Sequence, residues 1–176
     1  MTKIINSNIE EVKIIEPSVF EDTRGYFFES YNQKKWIELG LGVKFIQDNE
    51  SKSDLGVLRG IHFQKAPYEQ SKLVRVIKGK IQDVAVDLRP NSKTYKKYFS
   101  IILNDRNKKQ LYIPKGFGHA FLTLSSSAII SYKVDEYYNQ DYDSGIKYDD
   151  ASIGIDWRLD YSEIILSEKD KNLPTL

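Results

Sequence analysis

The chain of 176 residues contains no cysteine, a single methionine and only two histidines. A disulfide or a thiolate metal site is therefore excluded, and two imidazoles are few ligands for a transition metal. No apolar run approaches the ~20 residues that a membrane-spanning helix needs. The first 30 residues alternate charged and apolar positions, which is unlike a secretory signal. We therefore expect a cytoplasmic protein that does not bind membranes.

The charges of the chain nearly cancel. There are 26 Lys and Arg against 25 Asp and Glu, which gives a net charge of +1 and a pI near 7.8. Such a balance provides no field that would attract nucleic acid, so we expect no nucleic-acid partner. Local clusters such as Lys108-Lys109 could still bind an anionic small molecule.

Aromatic residues are abundant, with 12 Tyr and 8 Phe, and they favour β structure. Short segments of alternating apolar and polar residues, separated by turn signals, are typical of a β-sandwich or barrel. They predict strands at 12–16, 57–64, 73–77, 81–88, 98–103, 110–113, 119–124 and 128–134. Asn32 and Ser167 each predict the start of a short helix. We therefore expect one all-β domain, 1–176, with short peripheral helices.

Polar groups are concentrated in the predicted strand 57–64. With a period of two, His62 and Gln64 share a face, and Arg59 points away from them. A bulge at Gly60 would turn Arg59 towards the side of His62, because glycine inside a strand often marks a bulge. The alternative is an ordinary half-exposed strand in which His62 is satisfied by a neighbour.

Three further positions are ambiguous from their strand patterns alone. Lys72 shares a face with Val74 and Val76, opposite Leu73. For Asp83 we expect exposure to solvent; the alternative is a buried carboxylate that holds a histidine in one tautomer. Tyr132 alternates with apolar neighbours, as a packed strand aromatic does.

The two histidines lie in motifs that resemble those of the cupin superfamily of small β-barrels. Gly56 is followed after five residues by His62, and Pro114, Gly116 and His119 have the second motif's spacing. Gln64 stands where metal-binding cupins have their second histidine. We therefore expect no metal site.

A closer resemblance covers nearly the whole chain and points to the dTDP-4-dehydrorhamnose 3,5-epimerase family of cupins. The segments that carry it are FEDTRGYFFES (20–30), QDN (47–49), LRGIHFQ (58–64), KLVR (72–75), YIPKGFGHAFLTL (112–124) and YK (132–133). The resemblance implies a cupin-type β-sandwich or jelly-roll barrel. It also implies cofactor-independent epimerisation at C3 and C5 of a dTDP-4-keto-6-deoxyhexose, on the route to dTDP-L-rhamnose.

The same resemblance assigns the catalytic roles. His62 matches the base, Tyr132 the acid on the opposite face of the sugar, and Lys72 the cation beside the C4 oxyanion. Asp170 matches the carboxylate that orients His62. Two alternatives stay open: Asp83 could be that partner, and Ser167 with Asp170 could simply form a helix capping box.

The resemblance further implies a nucleotide and sugar site, and a homodimer whose N-terminal strands cross to the partner. Tyr26 and Tyr138 would sandwich the base. Tyr26 replaces a common Phe, and Glu50 and Asp143 also depart from the usual family residues. The implied substrate-binding residues are Arg24, Tyr26, Glu29, Gln47, Asn49, Arg59, His119, Tyr138, Asp143 and Lys169.

Two other functions remain possible from the sequence. One is a related enzyme that epimerises only C3 or only C5, which would keep the same base and nucleotide site. The other is a sugar-nucleotide-binding cupin without activity, although the presence of both His62 and Tyr132 argues against it.

The scarcity of nitrogen and sulfur ligands generates a first prediction. Exhaustive treatment with EDTA should leave the rate of epimerisation unchanged, since the proposed chemistry needs only protein side chains. The measurement compares turnover of treated and untreated protein in metal-free buffer. Loss of turnover that one divalent cation restores would show that the mechanism is wrong.

Overall fold

A computed structural model describes residues 2–176, which form thirteen β-strands and two short α-helices. The strands are β1 (Lys3–Asn6), β2 (Lys13–Glu16), β3 (Phe20–Asp22), β4 (Gly25–Phe27), β5 (Gln47–Asp54), β6 (Leu58–Gln64), β7 (Lys72–Lys78), β8 (Lys80–Asp87), β9 (Tyr98–Asn104), β10 (Gln110–Ile113), β11 (Phe117–Thr123), β12 (Ser127–Val134) and β13 (Asp143–Gly145). The helices are α1 (Gln33–Glu38) and α2 (Glu168–Lys171).

Two antiparallel sheets make up the body of the fold. One has six strands in the order β1-β2-β10-β7-β12-β5, and the other has five in the order β13-β6-β11-β8-β9. The β3–β4 hairpin forms a separate two-stranded sheet. The predicted all-β, cupin-type sandwich with short helices is thus confirmed.

The five-stranded sheet is buried on both of its faces. On the inner face, Ile81, Ala85 and Phe121 pack in the core against Val74 and Val76 of the six-stranded sheet. The outer face is covered by the segment after β13, which contributes Ile146, Ile153, Ile155 and Trp157 to a second cluster. Successive side chains of β8 therefore point alternately into the two hydrophobic clusters, rather than into the core and into solvent.

Both helices begin where their capping residues predict. The Asn32 side chain accepts a hydrogen bond from the backbone N–H of Lys35, and α1 buries Trp36. Ser167 accepts one from the backbone N–H of Asp170 at the start of α2. Of the helices in residues 2–176, none has the length and apolarity to cross a bilayer.

Strand β5 is the main element that the sequence analysis did not predict, together with β1, β3, β4 and β13. Its sequence, QDNESKSD, contains no apolar residue, so it lacks the alternation by which strands are recognised. The strand is held instead by pairing along its whole length with β12.

A β-bulge in β6 lies at the predicted position. The pairing of β6 with β11 changes register between His119 and Phe121, and two residues of β6, Gly60 and Ile61, span the interval that Ala120 spans on β11. Gly60 has φ +126°, and a Cβ atom there would lie 2.5 Å from the Cβ of Ala120. Glycine is therefore required at this point.

Replacement of Gly60 by alanine should destabilise the fold. The backbone strain and the clash with Ala120 together should lower the free energy of unfolding by roughly 2–5 kcal/mol. Urea denaturation measures the loss, with Gly42→Ala as the matched control because a Cβ at Gly42 meets no atom within 4 Å. Equal stability of the two variants would contradict the packing described for the bulge.

Candidate active site

A cleft opens between the two sheets, and strand register places polar side chains along its first wall. In the six-stranded sheet Tyr132 lies opposite Asn49 on β5 and opposite Val74 on β7. Val134 likewise lies between Gln47 and Lys72. Directly opposed residues project to the same side of a sheet. The core-facing side of this sheet therefore turns polar towards the end that carries Gln47 and Lys72.

The second wall belongs to the five-stranded sheet. His62 of β6 and His119 of β11 are directly opposed, and the bulge next to them brings Arg59 opposite Phe121. All four residues line the cleft. The predicted effect of the bulge, which was to bring Arg59 to the side of His62, is confirmed.

The cleft consists of two adjoining cavities. They measure about 550 Å³ and about 440 Å³, and they share His62, Lys72, Tyr132 and Lys169. This size suits a small organic ligand with a nucleotide. The predicted site residues that line it or bond into it are His62, Tyr132, Lys72, Asp170, Gln47, Asn49, Arg59, His119, Tyr138, Asp143 and Lys169.

His62 is hydrogen-bonded to Asp170. The Nε2 atom of the imidazole lies 2.5 Å from Oδ1 of Asp170, which is 3% exposed. Burial raises the pKa of Asp170, but hydrogen bonds from His62, Ser167 and the Gly60 backbone outweigh it and hold this pKa below its ordinary value. The carboxylate thus accepts a hydrogen bond from the Nε2–H group of His62 and leaves the lone pair of Nδ1 available.

The geometry distinguishes Asp170 from Asp83 as the partner of His62. Ser167 does cap α2 through the backbone N–H of Asp170, yet the Asp170 carboxylate is bonded to His62. Asp83 lies beside the other histidine, with Oδ1 2.7 Å from Nε2 of His119. It is Asp170, and not Asp83, that contacts His62.

The expectation that Asp83 is exposed to solvent is wrong, since its side chain is 0% exposed. The reason is that β8 lies between two hydrophobic layers, so neither of its faces reaches water. Burial also lowers the pKa of His119, and the charge of Asp83 only partly opposes this. His119 is therefore neutral near pH 7.

Lys72 and Tyr132 project into the cleft from the six-stranded sheet. Burial lowers the pKa of Lys72 to about 8, against the opposing charges of Asp83 and Asp143. Burial raises the pKa of Tyr132, and the charge of Arg59 opposes this. In residues 2–176 neither the ammonium nor the phenol has a hydrogen-bonding partner, so both are available to a ligand.

Side chains at the mouth of the cleft are bonded to one another. The Tyr138 hydroxyl donates to Oδ2 of Asp143 at 3.0 Å, and the Lys169 ammonium donates to the same oxygen. Within the first wall, Gln47 donates to Asn49 at 2.8 Å. The Arg59 guanidinium is held by the Ser53 hydroxyl at 3.0 Å.

Gln64 has a structural use that the sequence analysis missed. Its buried amide donates to the backbone carbonyls of Tyr68 and Tyr137 and accepts from the N–H of Asn139. The residue at the position of a cupin metal ligand thus holds the loop that carries Tyr138. Within the described residues no group of three or more His, Cys, Asp or Glu could hold a metal ion.

Ser51, Phe121 and Ile130 also line the cleft and were not predicted. Phe121 and Ile130 have the apolar character of any core strand residue, so their sequence carries no signal. Ser51 lies on β5, two residues from Asn49, and could have been found if the polar strand had been recognised.

Three predicted binding residues lie outside the cleft of their own chain. Arg24 and Tyr26 belong to the β3–β4 hairpin, where Arg24 pairs with Asp22 and the Lys108 ammonium lies 3.7 Å from the ring centre of Tyr26. Glu29 pairs with Lys35 of α1 at 2.8 Å. The structure of one chain therefore does not bring these three residues to His62.

Comparisons with known proteins agree on one family. The sequence model of the dTDP-4-dehydrorhamnose 3,5-epimerases matches residues 6–176. A relative of that name from Methanothermobacter thermautotrophicus is 52% identical over 171 residues, covering 97% of this chain and 92% of the relative.

Two solved structures show the same likeness. One is the dTDP-4-dehydrorhamnose 3,5-epimerase of Bacillus anthracis with TDP and PPi bound, with a TM-score of 0.96, 47% identity and 100% coverage of both chains. The other is the dTDP-6-deoxy-D-glucose-3,5-epimerase of Legionella pneumophila in complex with dTDP-4-keto-L-rhamnose. Its TM-score is 0.96 at 44% identity, over 99% of this chain and 93% of that one.

The contact between His62 and Asp170 generates a prediction about the rate. Asp170→Asn removes the charge and allows the wrong tautomer of His62, so kcat should fall by roughly 10²-fold or more. Glu168→Gln is the matched control on α2, because Glu168 is exposed and its carboxylate bonds only to Lys171. A wild-type kcat in Asp170→Asn would remove this carboxylate from the site's chemistry.

Proposed function

The chain belongs to the dTDP-4-dehydrorhamnose 3,5-epimerase family, and on that premise we propose that His62, Lys72 and Tyr132 carry out its proton transfers. The enzyme is an isomerase that converts dTDP-4-dehydro-6-deoxy-D-glucose into dTDP-4-dehydro-L-rhamnose. The observation that carries the proposed roles is the placement of His62 and Tyr132 on opposite sheets, with the cleft between them.

The chemistry explains why the site needs groups on two sides. The C4 ketone of the substrate acidifies the C–H bonds at C3 and C5. Removal of either proton gives an enolate whose negative charge rests on the C4 oxygen. A proton returned to the opposite face of that enolate inverts the carbon. The minimum requirement is therefore a base, a cation and an acid across the sugar from the base.

His62 is the base in this proposal. With Nε2 donating to Asp170, the lone pair of Nδ1 takes the proton from C3 or C5. The imidazolium that forms lies against the Asp170 carboxylate, which stabilises its charge. A nearby carboxylate thus offsets the cost of creating a cation in a half-buried position.

Lys72 is the cation beside the developing oxyanion. Its ammonium is bound by no carboxylate in the described part of the chain, so its charge is available to the C4 oxygen. An ion in a partly dehydrated cleft interacts more strongly than it would in water. This interaction is larger for the enolate than for the ketone and so lowers the barrier.

Tyr132 is the acid in this proposal. Its raised pKa keeps the phenol protonated near pH 7, and its position on the six-stranded sheet is across the cleft from His62. In each epimerisation His62 gains a proton and Tyr132 loses one, and exchange with solvent resets both groups. No electron transfer or cofactor enters this balance.

The remaining polar groups are proposed to bind the nucleotide and the sugar. Arg59 suits a diphosphate, because a guanidinium can bind phosphate oxygens in a bidentate manner. Lys169 adds a second cation, and Tyr138 provides a flat surface for the base. Gln47 and Asn49 present amides on the wall that carries Tyr132.

We further propose a homodimer in which the N-terminal strands cross to the partner. The β3–β4 hairpin leaves Phe20 65% exposed and Phe27 70% exposed, and apolar surface of this kind marks an interface. In such a dimer Arg24, Tyr26 and Glu29 serve the cleft of the neighbouring chain. The cytoplasmic location inferred from the sequence stays a prediction.

The roles of base and acid can be separated by solvent exchange. In deuterated water His62→Ala should incorporate no deuterium at C3 or C5. Tyr132→Phe keeps the ring and removes the hydroxyl, so it should exchange protons with retained configuration, and inversion should fall roughly 10²- to 10⁴-fold. Proton NMR of the recovered sugar measures both.

Two results would contradict these roles. Wild-type inversion by Tyr132→Phe would mean that another donor delivers the proton. Wild-type exchange by His62→Ala would mean that another base removes it. Absence of any exchange or turnover in the wild-type protein would instead favour the non-catalytic binding function.

Complementation between inactive variants tests the shared site. Arg24→Ala and His62→Ala should each be impaired as homodimers. If Arg24 serves the neighbouring cleft, a mixed dimer contains one site with both residues intact, so activity should return after the two are unfolded and refolded together. The control mixes His62→Ala with Tyr132→Phe. Because His62 and Tyr132 belong to the same cleft, no site of that mixed dimer is intact and activity should not return. If Arg24→Ala and His62→Ala refolded together are no more active than the two variants kept separate, strand exchange is contradicted.

A further inference from the structure

Asp83 is a buried carboxylate that the reaction described above does not use. Its side chain is 0% exposed, and it lies on the face of β8 that also carries the core residues Ile81 and Ala85. Oδ1 is bonded to His119, while Oδ2 has no hydrogen-bonding partner in residues 2–176. A buried carboxylate with one free oxygen is costly unless a nearby positive charge offsets the loss of hydration.

The other carboxylates near the cleft are already engaged. Asp143 is bonded to Lys169 and Tyr138, and Asp170 is bonded to His62. The only partner of Asp83 is His119, which is neutral near pH 7. Asp83 therefore has no bonded cation, unlike Asp143, and it does not orient the proposed base, unlike Asp170.

The cations of the cleft show the complementary pattern. Lys169 is paired with Asp143, and Arg59 is exposed and held by Ser53 and the Lys52 carbonyl. Lys72 has no ion-pair partner among the described residues.

Strands β7 and β8 are consecutive in the chain but belong to different sheets. Asp83 shares a face of β8 with Ile81 and Ala85, and that face packs in the core against Val74 and Val76 of β7. Lys72 lies on the same face of β7 as those two valines, so one unpaired negative and one unpaired positive charge project from facing sheets.

We propose that Asp83 is a positioning residue that keeps Lys72 protonated and holds His119 as a neutral ring with its Nδ1 lone pair directed to the ligand. This inference rests on the oxyanion role proposed for Lys72. Burial is the larger influence on Lys72, and the charges of Asp83 and Asp143 oppose it. Without the charge of Asp83, less of Lys72 would carry the proton that the enolate oxygen requires.

Loss of the Asp83 charge should shift the pH dependence of kcat/KM in one direction. Lys72 acts as a cation, so kcat/KM should fall as pH rises through about 8. Removal of a nearby negative charge disfavours the ammonium. Asp83→Asn should therefore move this fall to lower pH, by roughly one unit.

A direct titration provides the test. Protein labelled with ¹³C-lysine is titrated by NMR, and the Lys72 Cε resonance is assigned by its loss in Lys72→Arg. We expect the Lys72 pKa in Asp83→Asn to lie below the wild-type value, together with the earlier fall of kcat/KM. The control is Asp48→Asn, which removes a carboxylate from β5 that pairs with Lys133 outside the cleft and should leave the Lys72 titration unchanged.

An unchanged Lys72 titration in Asp83→Asn would overturn the inference, whatever happens to turnover. If Asp83→Asn does not fold, Asp83→Ser removes the same charge and retains a hydroxyl for His119. The NMR titration needs no substrate. It therefore decides the role of Asp83 even if the function proposed for Lys72 fails.

Discussion

The hydrogen bond between His62 and Asp170 joins residues 108 positions apart, and the arrangement of the whole site depends on it. His62 is positioned by β6, whose bulge at Gly60 also brings Arg59 into the cleft. Asp170 is positioned by a single helical turn that Ser167 caps. This one hydrogen bond therefore joins the bulged strand and the C-terminal helix at the reactive histidine.

Some charged groups of the cleft are paired, and one cation is not. Two carboxylates, Asp143 and Asp170, are bonded to Lys169 and His62, whereas Lys72 is left free from any carboxylate in the described chain. A free ammonium in a dehydrated cleft is unfavourable in the resting protein, as its lowered pKa shows. That cost becomes a gain when an oxyanion forms beside it. The fold thus positions an unpaired ammonium group where the reaction creates the oxyanion that pairs with it.

Much of the architecture could be predicted from alternation and turn chemistry. The strands on either side of Gly79, the caps at Asn32 and Ser167, and the bulge at Gly60 each carry a local signal. Strand β5 could not be predicted, because its wholly polar sequence lacks the alternation of a strand. Asp83 was misplaced because the face of β8 that it shares with Ile81 and Ala85 packs against the six-stranded sheet, and the sequence of β8 alone does not show which of its faces is covered.

Reaction of the wild-type enzyme with dTDP-4-keto-6-deoxyglucose in deuterated water, followed by proton NMR of the sugar, tests epimerisation at both carbons most directly. With base and acid on opposite walls and a ketone that acidifies both neighbouring carbons, the product should carry solvent deuterium at C3 and at C5, with both centres inverted. Deuterium and inversion at only one of these carbons would contradict double epimerisation. Inversion without any solvent deuterium would contradict proton transfer through residues that exchange with water.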